Sequence, residues 1–193
     1  MVHVKSIQPT PNPNAFKFVV DDILWPGTKS CVRAADAAGF ALAEQLFAVD
    51  GVDTLFFCDR FVTVSMTASA DWRAVHESAT RILEDWKSPY AAGGVAPAAD
   101  GSQAPAPALD PNSLPAEQQA MLGKINAVLD DRIRPALAGD GGGLEVIGLE
   151  GKTLLIRYQG ACGSCPSSIG GTLMAIQNLL QAEVDEELAV VSA

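Results

Sequence analysis

The sequence predicts an α/β chain of the α+β kind: two small mixed domains, each a short β-sheet packed with helices, joined by a linker. Three observations point there. The 193 residues suit two small domains. The segment Ala91 to Ser113, reading AAGGVAPAADGSQAPAPALDPNS, has no aromatic residue and neither helical nor alternating periodicity. On both sides of it, stretches with a two-residue period are interspersed with stretches of helical period.

The Ala/Pro/Gly-rich segment cannot bury enough apolar area to offset its ordering entropy. Pro97, Pro105, Pro107 and Pro111 also oppose an Ala-rich helix there. It reads as a flexible, semi-extended linker over 91–113, leaving an N-terminal domain at 1–90 and a C-terminal domain at 114–193.

In the first domain, Ala15 to Val20 alternates and predicts a strand. Ala37 to Ala48, with Phe40, Leu42, Leu46 and Phe47, predicts a helix that ends near Gly51. Val52 to Phe57 and Phe61 to Met66 read as two strands around a tight Cys58-Asp59-Arg60 turn. Asp71 is placed to cap a helix running to Trp86, with Trp72, Val75, Ile82, Leu83 and Trp86 as its apolar face.

The second domain opens with a predicted helix from Pro115 to Leu137, its stripe formed by Met121, Leu122, Ile125, Val128, Leu129 and Ile133. Asp140-Gly141-Gly142-Gly143 favours neither helix nor strand and predicts a loop. A hairpin of Leu144 to Leu149 and Thr153 to Tyr158 turns at Glu150-Gly151-Lys152. A cysteine loop, a helix from Ser167 to Gln181 and a short strand from Leu188 to Val191 complete the domain.

The net charge of −10 argues against phosphate and anionic-membrane partners, since no cluster of Lys and Arg interleaves with aromatics. No nucleic acid and no membrane is therefore expected. No secretory pattern follows Met1, and no stretch reaches the ~18 apolar residues of a membrane helix. Four cysteines with one close pair suit a reducing compartment. The cytoplasm is the expected location, or the mitochondrial matrix if the chain is a mature form.

Chemistry concentrates in Gly160-Ala161-Cys162-Gly163-Ser164-Cys165-Pro166. A strand leads into it and a helix leaves it. Thiolate is the form that binds metal and attacks disulfides. A helix N-terminus stabilises thiolate through unpaired N–H groups and partial positive charge. Gly160 and Gly163 admit close backbone approach, and Pro166 suits a first helical position. Ser167 and Ser168 are placed to cap the helix or to donate to sulfur.

Three ligand chemistries fit this pair. An iron–sulfur cluster needs four thiolates, so two chains would have to meet at a two-fold axis. A thiol–disulfide oxidoreductase also uses strand, CxxC and helix, but its fold requires more structure after the motif than remains here. A dimeric zinc-binding module would use the same four cysteines. On the spacing alone these three stand level.

The sequence further resembles the Nfu-type iron–sulfur scaffold and carrier proteins, which include the C-terminal domain of NifU. The likeness runs through Ile133-Arg134-Pro135, Asp140-Gly141-Gly142 and Gln159-Gly160-Ala161-Cys162-Gly163-Ser164-Cys165-Pro166-Ser167-Ser168. The first domain is similar to the N-terminal domain of that family through Thr10-Pro11-Asn12-Pro13-Asn14, Lys17-Phe18, Leu46-Phe47, Gly51-Val52 and Phe56-Phe57. The resemblance implies a [4Fe–4S] cluster bridging a homodimer and passed to apo iron–sulfur proteins, with cluster-assembly proteins as further partners. It implies no enzyme activity, and Cys162 and Cys165 as the ligands. One departure stands out, Gly143 where the family commonly carries a second Asp. Gly170-Gly171 in the following helix fits either a close approach at a dimer contact or plain divergence.

Other candidates read as structural. Cys31 and Cys58 are expected to behave as small buried hydrophobes. Neither His3 nor His76 neighbours a cysteine in sequence, and His76 is expected on a helix surface. Leu173, Met174, Ile176, Leu179 and Leu180 predict a packing stripe, and Glu183, Asp185, Glu186 and Glu187 a solvated acidic patch.

Overall fold

The computed structural model describes residues 1–90, 115–162 and 166–192, without the side chains of 166–169. The expected linker at 91–113 lies outside the described residues. The chain divides into two compact units, Met1–Gly101 and Ser102–Ala193.

In the first unit, β1 (Val4–Pro9), β2 (Ala15–Val20), β3 (Trp25–Cys31), β4 (Val52–Asp59) and β5 (Phe61–Met66) form one antiparallel sheet in the order β1-β2-β5-β4-β3. The strand β2 has the expected bounds. The β4–β5 turn is tighter than expected: Cys58 already pairs with Phe61, and Asp59 takes a left-handed φ of 44°. The strands β1 and β3 escape the sequence reading because Pro9, Pro26 and Gly27 disguise them. Both lie at sheet edges, where such residues are tolerated.

The helix expected over Ala37–Ala48 is broken. A 3₁₀ turn at Ala34–Ala37 precedes α1 (Ala41–Phe47). Gly39 at φ 80° turns the chain between them, its N–H donating to Glu44 Oε1 at 3.0 Å. Helix α2 (Trp72–Asp85) starts at the expected cap, where the Asp71 carboxylate accepts from the Arg73 N–H at 3.0 Å. The unit closes over Phe18, Leu42, Leu46, Leu55, Phe57 and Leu83. One expectation for α2 fails: Trp72 remains 49% exposed, stacked on Phe16 at 6.2 Å.

The second unit begins with α3 (Ala116–Val128), which passes through a π-helical segment at Leu129–Ile133 into α4 (Arg134–Gly139). The single helix expected from Pro115 to Leu137 is interrupted because Pro135 has no N–H with which to continue the α ladder. Leu122, Ile125 and Leu129 nonetheless stay buried.

Strands β6 (Gly142–Glu150), β7 (Thr153–Gly160) and β8 (Ala189–Ser192) follow in sheet order, with α5 (Pro166–Glu183) linking β7 to β8. The β6–β7 pair is antiparallel and the β7–β8 pair parallel. The helix α5 supplies the crossover that a parallel pair requires.

Within this chain the stripe on α5 is only partly covered. Ile176 and Leu180 are buried, but Met174 is 67% exposed. A Cβ at Gly170 or Gly171 would meet nothing within 4 Å, so neither glycine is required by a close approach among the described residues of this chain. The acidic residues after α5 are partly engaged: Lys152 bonds both Asp185 and Glu187, and Arg132 pairs with Glu183 at 3.1 Å. No helix among the described residues is long and apolar enough to cross a membrane.

Asp71→Ala removes the α2 cap and is expected to cost about 1 kcal/mol of stability. Urea unfolding followed by tryptophan fluorescence measures it, and an unchanged midpoint would contradict the role of that cap.

Candidate functional site

The chemistry-bearing loop is built by the β6–β7 hairpin. Leu154, Ile156 and Tyr158 alternate inward along β7, as a half-buried strand demands. At its end Gly142 pairs with Gly160, and Gly160 takes a φ of 64° that turns the chain out of the sheet. The predicted Gly-rich loop is thereby shortened. Only Asp140 and Gly141 remain in the turn, whereas Gly142 and Gly143 open β6.

The return of the chain is tied to that turn by Ala161, whose N–H donates to the Gly141 carbonyl at 3.2 Å. Cys162 is thus held against the hairpin end. A Cβ on Gly142 would lie 2.5 Å from Cys162 Sγ and 2.9 Å from the Gln159 carbonyl oxygen. The thiol therefore occupies the space that any other residue at 142 would fill. The two parts of the sequence pattern, Asp-Gly-Gly and CxxC, meet here in atomic contact.

Helix α5 begins at Pro166, the residue after Cys165 in the sequence. The unpaired N–H groups and dipole of that end favour a negative sulfur. Cys165 lies outside the described residues, as do Gly163 and Ser164. The side chains of Ser167 and Ser168 are likewise undescribed.

A residue missed by the sequence reading stands beside this thiol. Tyr158 is only 8% exposed, and its hydroxyl finds no hydrogen-bond partner among the described residues. Burial, and then the charge of Cys162, push its phenol up to about 12. The signal was present in the alternation of β7, which places a polar-tipped aromatic at the last inward position before Gly160. At the outer face Glu145 pairs with Arg157 at 3.7 Å and accepts from Gln159 Nε2 at 3.2 Å, so these charges are neutralised locally.

The remaining sequence candidates lie in the first unit. Cys31 is buried in the first unit, and burial pushes its thiol up to about 11. Its Sγ lies 3.6 Å from the Asp36 carbonyl oxygen. Cys58 is half-buried, and burial followed by the Asp59 charge raises its pKa. These two disfavour the thiolate form. His76 is packed among Phe16, Phe18 and Trp72, and burial lowers its pKa. His3 donates its backbone N–H to Asp21 at 2.7 Å. No group of three His, Cys, Asp or Glu side chains among the described residues converges to hold a metal.

The residues present fit an iron–sulfur cluster on two counts. The glycine floor excludes side-chain bulk beneath the thiol, and a buried hydroxyl lies unsatisfied among the described residues of the same core cluster.

Comparison with known proteins agrees along most of the chain. Residues 4–88 match the family described as "Scaffold protein Nfu/NifU N terminal", and residues 125–191 match the "NifU-like domain". A Drosophila erecta protein named "NFU1 iron-sulfur cluster scaffold homolog, mitochondrial" is 34% identical over 93% of this chain and 61% of its own length. The protein of that name from Drosophila ananassae is 33% identical over 93% and 60%. The chain thus spans about three fifths of the length of these relatives.

Among solved structures, a NifU-like protein from Saccharomyces cerevisiae aligns with TM-score 0.39 and 24% identity, over 43% of this chain and 76% of that one. Protein SAV1430 from Staphylococcus aureus aligns with TM-score 0.37 and 22% identity, over 42% of this chain and 96% of that one.

Two outcomes test this geometry. Gly142→Ala must displace Cys162 Sγ or the β7 backbone, and is expected to cost about 1–3 kcal/mol, read as a lower urea midpoint. It is also expected to change the rate of Cys162 alkylation, which a loosely placed thiol would not show. For Cys31, the folded pKa lies above the ordinary 9.0, so its contribution to stability is full below pH 9 and is lost as pH rises towards 11. Urea midpoints of wild type and Cys31→Ala across that window measure it, the variant lacking this part of the decline.

Proposed function

The chain belongs to the Nfu-type iron–sulfur scaffold family, and from that premise we propose that two copies hold one [4Fe–4S] cluster through Cys162 and Cys165 of each. The cluster is cargo, passed on to apo iron–sulfur proteins. The observation that carries this reading is the seating of Cys162 Sγ over Gly142.

The chemistry follows from ligand number. A [4Fe–4S] cluster takes four thiolates, and the CxxC pair supplies two. A two-fold axis through the cluster supplies the rest with the same surface of a second copy. Each chain's task is to present sulfur as thiolate, to keep bulk from beneath it, and to let it be displaced. An acceptor thiolate takes the place of a departing cysteine sulfur, which recovers a proton, and no electron need move. Such exchange requires no substrate turnover, so the protein is read as a carrier rather than an enzyme.

The proposed division of labour follows the sequence boundaries. Residues 114–193 handle the cluster, 91–113 link, and 1–90 serve partner docking. The partners are apo iron–sulfur proteins and cluster-assembly proteins. A reducing compartment keeps the thiols available. The names of the relatives favour the mitochondrion over the cytoplasm expected from sequence.

Anaerobic reconstitution of the full chain is expected to give a brown dimer with about four irons and four sulfides per pair of chains. Cys162→Ala or Cys165→Ala abolishes the colour and the bound sulfide. A variant that keeps the whole cluster overturns the assignment. Zinc without sulfide favours the zinc module, and iron-independent reduction of a protein disulfide by a monomer favours the oxidoreductase.

A further inference from the structure

We infer that Tyr158 is a positioning residue for the cargo: its buried hydroxyl donates a hydrogen bond to the sulfur of Cys162 when that sulfur binds iron. The inference rests on the scaffold reading above.

The strand register brings the two groups together. In the β6–β7 pair, Gly142 faces Gly160 and Leu144 faces Tyr158, so Tyr158 is the diagonal neighbour of Gly142 on the inner face. Diagonal neighbours lie within reach of a long aromatic side chain. The place of a side chain at Gly142 is taken by Cys162 Sγ. Cys162 and Tyr158 pack against the same core cluster.

A buried hydroxyl without a partner is costly, and such groups normally find one. The described residues of this chain offer Tyr158 none. A phenol at neutral pH is a donor, and a metal-bound thiolate is an acceptor that carries negative charge. Hydrogen bonds to cluster sulfurs raise the reduction potential, because they stabilise the more negative, reduced state.

Tyr158→Phe removes the donor and keeps the ring. In the reconstituted full chain this variant is expected to bind a full cluster, with a more negative midpoint potential and altered Fe–S(Cys) Raman bands.

The chain has two tyrosines. In a Tyr90→Phe background, biosynthetic fluorotyrosine therefore labels position 158 alone. Its more acidic phenol is expected to shift the potential in the opposite direction. A loaded Phe variant with unchanged potential and Raman bands overturns the inference. If the Phe variant does not fold, an unshifted potential in the fluorinated protein overturns it instead. An unmodified chain that takes up no cluster fails the scaffold reading and this inference with it. A loaded chain indifferent to Tyr158 fails only the latter.

Discussion

The contact between Gly142 and Cys162 is the constraint from which the rest of the second unit takes its form. Sulfur occupies the volume of a missing side chain, so the end of the hairpin must be glycine on the β6 side. Gly160, opposite it, turns the chain sharply enough to bring the thiol back over its own sheet. The Ala161 N–H fixes that return on the Gly141 carbonyl. Two segments distant in sequence, the turn after α4 and the end of β7, are thereby committed to one point. Neither could shift independently without moving the sulfur.

Much of this was readable beforehand, for physical reasons that can be named. The strand β2, the Asp71 cap and the β6–β7 hairpin followed from alternation, capping chemistry and turn residues, which are local properties. The strands β1 and β3 were missed because edge strands tolerate Pro and Gly that would mark a loop elsewhere. The π segment at Leu129–Ile133 preserves the inward stripe through Leu129, so periodicity alone cannot reveal it. Trp72 and Met174 were placed in the apolar faces by spacing, but the described residues cover Trp72 only by half and leave most of Met174 exposed. The Gly142–Cys162 contact could not be read at all, since it joins residues that only strand register makes neighbours.

The contrast among the cysteines shows how environment divides one residue type into separate roles. Cys31 sits in a closed core with a carbonyl as its nearest acceptor, and burial keeps it a thiol. Cys58 has an aspartate next to it in the chain, which disfavours negative sulfur further. Cys162 lies at the end of the β6–β7 hairpin, partly buried, with glycine beneath. Nothing in the identity of a cysteine distinguishes these cases. The distinction lies in which neighbours can tolerate a negative charge.

The same electrostatics bear on why half a site is useful. On the scaffold reading, bringing two copies together crowds thiolates of like charge within an acidic protein. Without cations between them that approach is repulsive, so the pairing of chains and the loading of iron are linked equilibria. Binding of the cluster holds the copies together, and by reciprocity a tendency of the copies to part weakens the hold on the cluster. A site complete within one chain would lack this coupling, because its four ligands would remain assembled whether or not the cargo was present. Delivery requires that the empty state cease to resemble the loaded one. Dividing the donor set between two chains accomplishes that by mass action and charge repulsion alone, without a conformational change inside either unit.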